Sequence, residues 1–239
     1  MNTGHVKQAA AFEKLVACCS AQGAMYNPSN EAITLTALQS LLTSAHQSLE
    51  AVKVAQLAYT NGVIIRKKLF DDMPVFLTRV IHGLAASGAS AEVMEEAYRY
   101  VRKYKSQGRD REPLSSTEAA ATVPATRSTA QLDFDRKADH FNRLVKLVHT
   151  VPGYRPNEED LQLVALDRKA AELYDWNKRV VHRLITLANA RAHRNRVLYG
   201  PTGTYGVAML AKKYVRSAFG YRSAAAQQIG RIQLLNHKK

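Results

Sequence analysis

Residues 158–201 read EEDLQLVALDRKAAELYDWNKRVVHRLITLANARAHRNRVLYGP, with neither Gly nor Pro before the final Gly200-Pro201 pair. Gly and Pro interrupt helices more strongly than other residues, so this stretch predicts one long helix. The acidic residues at its start suit the positive end of a helix dipole, and Gly200-Pro201 supplies a stop. At 1.5 Å per residue, an unbroken helix of this length would reach on the order of 60 Å, which predicts an elongated molecule.

The chain resembles itself at an offset of about 128 residues, which predicts an internal duplication. Two Tyr-x-Pro loops give the clearest match. The matched segments are Phe12–Val16 with Phe141–Val145, Tyr26-Asn27-Pro28 with Tyr154-Arg155-Pro156, Asn61 and Arg66 with Asn189 and Arg194, and Ser87–Ser90 with Phe219–Arg222.

Each copy is predicted to contain four helices in the same order. Their predicted ranges are 5–20 and 132–149 for the first helix, 74–86 and 204–218 for the third, and 90–105 and 223–235 for the fourth. The long second helix lies between the first and the third. The predicted fold class is all-α, with two tandem copies of an elongated four-helix unit and one long central helix in each copy. The first and third helices are expected to run antiparallel along the two halves of the long helix.

The predicted domains are a first repeat at 1–105 and a second, strongly basic repeat at 131–239. Residues 106–130 read SQGRDREPLSSTEAAATVPATRSTA, where Ser, Thr, Ala and Pro dominate and apolar periodicity is lost. This composition predicts a flexible linker. A docking or modification segment is the alternative.

Composition and the first residues predict a cytoplasmic location. The N-terminal stretch MNTGHVKQAAAFEKLVACC interleaves charges with apolar residues, so it makes a poor signal peptide. No apolar run approaches the ~20 residues that cross a bilayer, and no membrane association is expected. The two cysteines, Cys18 and Cys19, are adjacent and lack partners for a disulfide or a metal site. They are interpreted as buried helix residues in a reducing compartment.

Charge is the strongest functional signal in the chain. From Trp176 to Lys239 there are thirteen Lys or Arg residues and no Asp or Glu, in a chain of net charge +14 and pI near 9.9. A field of one sign attracts polyanions, so an anionic partner is predicted.

A helical wheel separates a cationic face from an apolar face on the long helix of the second copy. Val181, Leu184, Ile185, Ala188, Ala192 and Tyr199 are predicted to form the core face. Tyr205, Tyr214 and Tyr221 lie among the cations that follow, a mixture suited to phosphates and bases. The predicted nucleic-acid-binding residues are Arg179, Arg183, Arg191, Arg194, Lys212, Lys213, Arg216 and Arg222.

No catalytic or metal site emerges from residue spacing, so an enzyme is not predicted and no cofactor is expected. A di-metal bundle needs Glu-x-x-His pairs, and none occurs. The string Gly200–Gly206 lacks the Lys and Ser/Thr of a phosphate-binding loop and follows a helix instead of a strand. A turn between helices is the better interpretation, although amides at the start of the next helix can hold an anion.

The strings NARAHRNRVLYG and KKYVRSAFG, with the loops YNPSNE and YRPNEE, resemble a family of bacterial helical proteins of uncharacterised activity. That family is similar in its tandem repeats, its Tyr-x-Pro loops and its Val-Lys/Arg-Ser-x-Phe-Gly ending. The resemblance covers both copies and implies the helical repeat architecture. It implies no catalytic or binding residues.

The sequence therefore supports two functional hypotheses. The first is a non-enzymatic protein that presents a cationic helical face to a polyanion, with sequence-nonspecific nucleic-acid binding the favoured case. The alternative is a helical scaffold for protein interaction, which either associates with itself or binds an acidic protein partner.

Overall fold

The computed structural model describes residues 3–106 and 129–235, and within them the protein is all-α. Most of the predicted linker, residues 107–128, lies outside the described residues. The described chain forms eight α-helices: α1 Thr3–Ser20, α2 Leu35–Asp71, α3 Met73–Ala86, α4 Ala91–Lys105, α5 Thr129–His149, α6 Leu163–Tyr199, α7 Thr204–Phe219 and α8 Ala224–Gly230. No helix in this part of the chain is both long enough and apolar enough to span a membrane.

The two long helices, α2 and α6, have the same length of 37 residues and begin 128 residues apart. Each begins later than the predicted position because a separate 3₁₀ turn precedes it, at Glu31–Ile33 and at Glu159–Leu161. Thr34 and Gln162 follow these turns with extended backbones, and an extended residue cannot continue the hydrogen-bond ladder of a helix.

Helix α8 ends earlier than predicted, at Gly230 and not at residue 235. Gly is a poor helix former, and the chain leaves the helix there. The segment that follows is held by side chains: Lys212 Nζ donates to the Ile232 carbonyl, and the Leu235 N–H donates to Gln8 Oε1 at 2.7 Å.

The described chain packs as two compact units that differ from the predicted repeats. Unit 1 consists of residues 1–59 and 183–239, and unit 2 of residues 60–182. In unit 1, α1 contacts α7 and α8; in unit 2, α5 packs on α4, which contacts α3. The first helix of each predicted copy therefore packs with later helices of the other copy.

The core of unit 1 is built around one apolar face of α1. Phe12, Leu15, Val16 and Cys19 are buried. They pack with four residues of α7, namely Val207, Ala208, Ala211 and Val215. Burying a side chain the size of Leu or Phe contributes about 1.5–3 kcal/mol, so this seam is a main source of stability. Burial also raises the pKa of the Cys19 thiol to about 11, which keeps it protonated.

Unit 2 has the matching arrangement around α5. Phe141, Leu144, Val145 and Val148 are buried against α3 and α4. The buried Tyr104 hydroxyl donates to the Phe70 carbonyl at 3.2 Å, which joins the end of α4 to the end of α2.

The loops before the two long helices each contain an equivalent hydrogen bond. The Tyr26 hydroxyl donates to the Ile33 carbonyl at 2.7 Å, and the Tyr154 hydroxyl donates to the Leu161 carbonyl at 3.0 Å. Burial raises the pKa of Tyr154 to about 12 and also raises that of Tyr26. These correspondences support the predicted duplication, which stays a prediction.

The ends of the third helices also correspond. Gly88 after α3 has φ +72° and Gly220 after α7 has φ +84°, a left-handed backbone that other residues adopt at a cost. A serine then caps the next helix in each case. Ser90, two residues after Gly88, caps α4 by accepting a hydrogen bond from Val93 N. Ser223, three residues after Gly220, caps α8 by accepting one from Ala226 N.

The predicted core face of α6 is wrong for most of its members. Leu184 and Ile185 are 43% and 53% exposed, and Ala188 and Ala192 are exposed as well. The buried side of the helix instead carries Asn177, Val180, Leu187, Arg194 and Leu198. Apolar residues occur on both sides of this helix, so periodicity alone could not decide which side meets the other helices.

Candidate polyanion-binding surface

Positive charge is concentrated in unit 1. Residues 1–59 and 183–239 contain fourteen Lys or Arg against three Asp or Glu, a net charge of +11. Residues 60–182 contain twenty against seventeen, a net charge of +3. The packing of α1 with α7 and α8 therefore leaves the acid-free C-terminal part of the chain in a unit with very few carboxylates. A surface of this kind attracts polyanions over distances of about a Debye length, ~8 Å at physiological ionic strength.

Lys212 and Lys213 are neighbours in sequence with opposite environments. Lys212 is 8% exposed and its ammonium group donates to the Ile232 carbonyl, whereas Lys213 is exposed. Burial, followed by the nearby charge of Arg216, lowers the pKa of Lys212. Lys212 therefore anchors the C-terminal segment, and only Lys213 offers its charge to a ligand.

The Arg194 side chain is also buried inside unit 1. It is 8% exposed, and its Nε and Nη2 donate to Asn195 Oδ1 at 3.1 and 2.8 Å. Burial lowers the pKa of this guanidinium. The matched residue of the first copy, Arg66, is buried in unit 2, where its guanidinium lies 4.1 Å from the centre of the Phe134 ring. A buried arginine at the same place in both long helices indicates a packing role.

Two further arginines of α6 contact α2 within unit 1. Arg183 is half-buried and donates from Nη1 to the Ala58 carbonyl at 3.0 Å. Arg191 is exposed and donates from Nη2 to Gln56 Oε1 at 2.7 Å. Both arginines therefore help to hold α6 against α2 in unit 1.

Arg179 belongs to unit 2, apart from the other predicted residues of α6 in this division of the chain. Its Nη2 lies 2.7 Å from the Asp175 carboxylate, one turn earlier in the helix, and its guanidinium lies 5.3 Å from the centre of the Trp176 ring. An exposed pair of this kind contributes little to stability, but the carboxylate offsets the charge that a polyanion would meet.

The end of α7 brings exposed cations and an exposed ring together. Lys213 and Arg216 lie three residues apart on one face of the helix, and Arg222 follows the turn at Gly220. Tyr221 is 76% exposed, and the Arg216 guanidinium lies 5.7 Å from the centre of its ring. Lys213, Arg216, Tyr221 and Arg222 are called the α7 cationic cluster below.

The polar groups of the Gly-rich turn before α7 are engaged in contacts within unit 1. The buried Thr204 hydroxyl donates to the Leu198 carbonyl at 3.0 Å and accepts from Gln8 Nε2 at 3.3 Å. A Cβ on Gly203 would lie 2.8 Å from the Val197 carbonyl oxygen, so only Gly fits there. The contacts agree with the interpretation of this string as a turn between helices.

Several contributors to the surface were not singled out from the sequence. Arg196 and Arg231 are exposed in unit 1, as are Lys7 and Lys14 of α1, which lie at the far end of the sequence. These four residues could be identified only by knowing which face of each helix is exposed. That face is known only once the packing partners of the helix are known. In residues 3–106 and 129–235, no three His, Cys, Asp or Glu side chains group together in a way that could hold a metal ion.

Comparison with known proteins finds no relative: no protein-family model, curated protein or solved structure matches the chain.

Proposed function

We propose that the protein is a non-enzymatic binding protein whose unit 1 holds a polyanion, with nucleic acid bound through its phosphates as the favoured case. The observation that carries the proposal is the net charge of +11 in unit 1 against +3 in unit 2. Contacts to phosphates do not read sequence, so binding is expected to be sequence-nonspecific.

The α7 cationic cluster supplies the chemistry that this function needs. Lys213, Arg216 and Arg222 offer exposed charge to phosphates, and Tyr221 offers a ring on which a base can stack. Arg191 and Arg196 of α6 add exposed charge in the same unit. Arg194 and Lys212 are left out of the contact set because their side chains are buried and hold other parts of unit 1.

Fluorescence anisotropy of a labelled single-stranded oligonucleotide tests the proposal at about 50 and about 200 mM salt, because each neutralised phosphate releases counterion. The wild-type protein is expected to bind at low salt and to weaken steeply at high salt. Replacing Lys213, Arg216 and Arg222 together by Gln is expected to reduce the slope of log affinity against log salt by about 2, at roughly 0.7 per contact.

A matched control replaces one exposed Lys and two exposed Arg of unit 2, namely Lys146, Arg102 and Arg168, by Gln. This variant loses the same charge from the chain and is expected to keep most of the affinity. Absence of binding by the wild-type protein at low salt, or equal losses in the two triple variants, would contradict the proposal.

A second function, protein interaction, is favoured by an exposed apolar stripe on α6. Leu184, Ile185, Ala188 and Ala192 lie on one side of the helix and are exposed. Arg191 and Arg196 flank the stripe on the helical wheel, and residues 176–239 contain no carboxylate. Charge complementarity therefore favours an acidic amphipathic helix of a partner protein as its occupant.

Light scattering with absorbance at 260 nm separates the two functions. Polyanion binding predicts a monomer that co-purifies with nucleic acid. The second function predicts that a synthetic acidic amphipathic peptide binds the nucleic-acid-free protein, and that replacing Leu184 and Ile185 by Ser abolishes this binding. A stable dimer would instead identify a second copy of the chain as the occupant of the stripe.

A further inference from the structure

Helices α3 and α7 bury matching positions, so the α7 cationic cluster of unit 1 has a counterpart surface in unit 2. Each helix contacts the 3₁₀ turn before a long helix, α7 the turn Glu31–Ile33 and α3 the turn Glu159–Leu161. The buried residues that match at an offset of 131 are Leu77, Val80 and Leu84 of α3 and Ala208, Ala211 and Val215 of α7. A residue on α7 therefore corresponds to the residue 131 positions earlier on α3.

The counterparts of the cluster in unit 2 include no Lys, Arg or Tyr. The pairs are Lys213 with His82, Arg216 with Ala85 and, counted from the left-handed glycines that follow the two helices, Tyr221 with Ala89 and Arg222 with Ser90. Ala89 is half-buried and packs on the core of unit 2, whereas Tyr221 is 76% exposed. The shared helix and turn therefore form without a large ring or a cation at these positions.

The Tyr221 ring is open to solvent beside a guanidinium group. Helix α7 ends at Phe219, and Gly220 turns the chain with φ +84°, so Tyr221 lies outside the helix. The Arg216 guanidinium lies 5.7 Å from the centre of the ring, within the range of a cation–π contact. Tyr26 of the same unit is only 7% exposed, so exposure is a property of Tyr221 and not of every tyrosine in unit 1. The Tyr221 ring is therefore accessible to a flat group of a ligand.

An exposed ring among cations suits an unpaired base better than a paired one. A base must leave its own stack before it can lie on a protein side chain, and single strands offer such bases. In a duplex the bases stack on one another, so a surface side chain meets mainly phosphates and sugars. Cations both precede and follow the ring along the chain, at Lys213, Arg216 and Arg222, where they can hold the phosphates next to a stacked base.

We propose that the α7 cationic cluster selects single-stranded nucleic acid over duplex, with Tyr221 as the residue that determines this specificity. One unpaired base stacks on the Tyr221 ring. Lys213, Arg216 and Arg222 bind the phosphates beside that base. The selection rests on the proposed polyanion binding of unit 1 and adds the class of nucleic acid to it. A surface that bound phosphates alone would favour the duplex, because the duplex has the higher charge density.

Fluorescence anisotropy of the full chain at about 50 mM salt tests the selection with three labelled probes of equal length. The probes are a mixed-sequence single strand, the same sequence as a duplex, and a single strand built of abasic sites. The normal single strand is expected to bind more tightly than the duplex. It is also expected to bind roughly 5- to 150-fold more tightly than the abasic strand, the contribution of stacking one base.

Variants at Tyr221 separate base stacking from phosphate binding. Tyr221→Ala introduces the residue that unit 2 has at the matched position, and it is expected to bind the normal strand no more tightly than the abasic strand. The slope of log affinity against log salt is expected to stay unchanged, because no phosphate contact is removed. Tyr221→Trp keeps a ring and is expected to keep the preference. The control is Tyr98→Ala, which removes a 49% exposed tyrosine of unit 2 and is expected to bind as the wild-type protein does.

The outcomes distinguish this selection from the proposed function on which it rests. Duplex binding as tight as single-strand binding, or a Tyr221→Ala variant that still prefers the normal strand to the abasic strand, would overturn the single-strand selection and leave polyanion binding by unit 1 in place. Absence of binding to all three probes would overturn both.

Discussion

At the scale of single residues, charge in the sequence does not tell whether a cation faces solvent. Lys212 and Lys213 are adjacent and equally basic, yet one is buried on the Ile232 carbonyl and the other is exposed. Burial of an ammonium group is tolerated when a hydrogen-bond acceptor meets it. Residue type therefore predicted a basic surface. Which of its basic residues are buried for packing and which are exposed for binding depends on the positions of α1, α7 and the C-terminal segment.

Replacing each lysine by Met separates these roles. Lys212→Met removes the donor to the Ile232 carbonyl, so residues 232–235 are expected to exchange their amide protons faster and unit 1 to lose about 1–3 kcal/mol. Lys213→Met is expected to change stability by less than ~0.5 kcal/mol and to weaken oligonucleotide binding. Hydrogen exchange and denaturant unfolding measure the first effect and anisotropy the second. The reverse pattern would show that the two roles are assigned to the wrong residues.

The hydroxyl groups of the loop tyrosines give a pH-dependent test. Tyr154→Phe removes the bond to the Leu161 carbonyl and is expected to cost about 0.5–1.5 kcal/mol at pH 7. The folded pKa of about 12 lies above the ordinary value near 10, so the phenol stabilises the fold fully below pH 10, and this contribution is lost as pH rises through 12. Unfolding free energies of the wild-type protein and Tyr154→Phe should therefore converge between pH 10 and 12. Parallel curves would show that the Tyr154 phenol is not buried in the folded protein, since burial is the main cause of its raised pKa.

At the scale of elements, three helix ends were predictable and the buried face of α6 was not. Gly88, Gly220 and the Gly200-Pro201 stop act locally through backbone conformation, so α3, α6 and α7 end within a residue or two of the predicted positions. Burial of one face depends on which other helices pack there. On α6 that nonlocal contact selects the side with Leu187 and Arg194, against the side with Leu184 and Ile185.

Two neighbouring leucines of α6 test this assignment of faces. Leu187→Ala is expected to destabilise the protein by about 2–5 kcal/mol, because it removes buried methyl groups and leaves a cavity. Leu184→Ala is expected to cost less than ~0.5 kcal/mol, because the side chain is 43% exposed. Urea denaturation measures both. Equal costs would indicate that both faces are covered in solution, which would favour an interaction partner on the α6 apolar stripe.

At the scale of the whole molecule, the predicted copies and the observed compact units divide the chain differently. Sequence similarity predicts that the helices are duplicated, but it carries no information on which first helix packs with which third helix. The structure places α1 with α7 and α8, and α5 with α4. As a result, each unit contains parts of both predicted copies, and unit 1 gathers the acid-free end of the chain.

Cleavage between the copies tests the exchanged packing. A protease site inserted between residues 107 and 128 would separate the backbone of α1–α4 from that of α5–α8. The two fragments are expected to stay together on gel filtration after cleavage, since each compact unit needs helices from both. Uncut protein is the control. Elution as two separately folded fragments would show that each copy packs with itself.

The most direct test of the function is where a nucleic acid contacts the chain. Ultraviolet cross-linking of the wild-type protein to a single-stranded oligonucleotide at low salt, followed by mass spectrometry, locates that contact without any substitution. Peptides containing residues 213–222, with Tyr221 as the main cross-linked side chain, are the predicted result. Cross-links confined to residues 60–182, or none at low salt, would contradict a polyanion-binding role for unit 1.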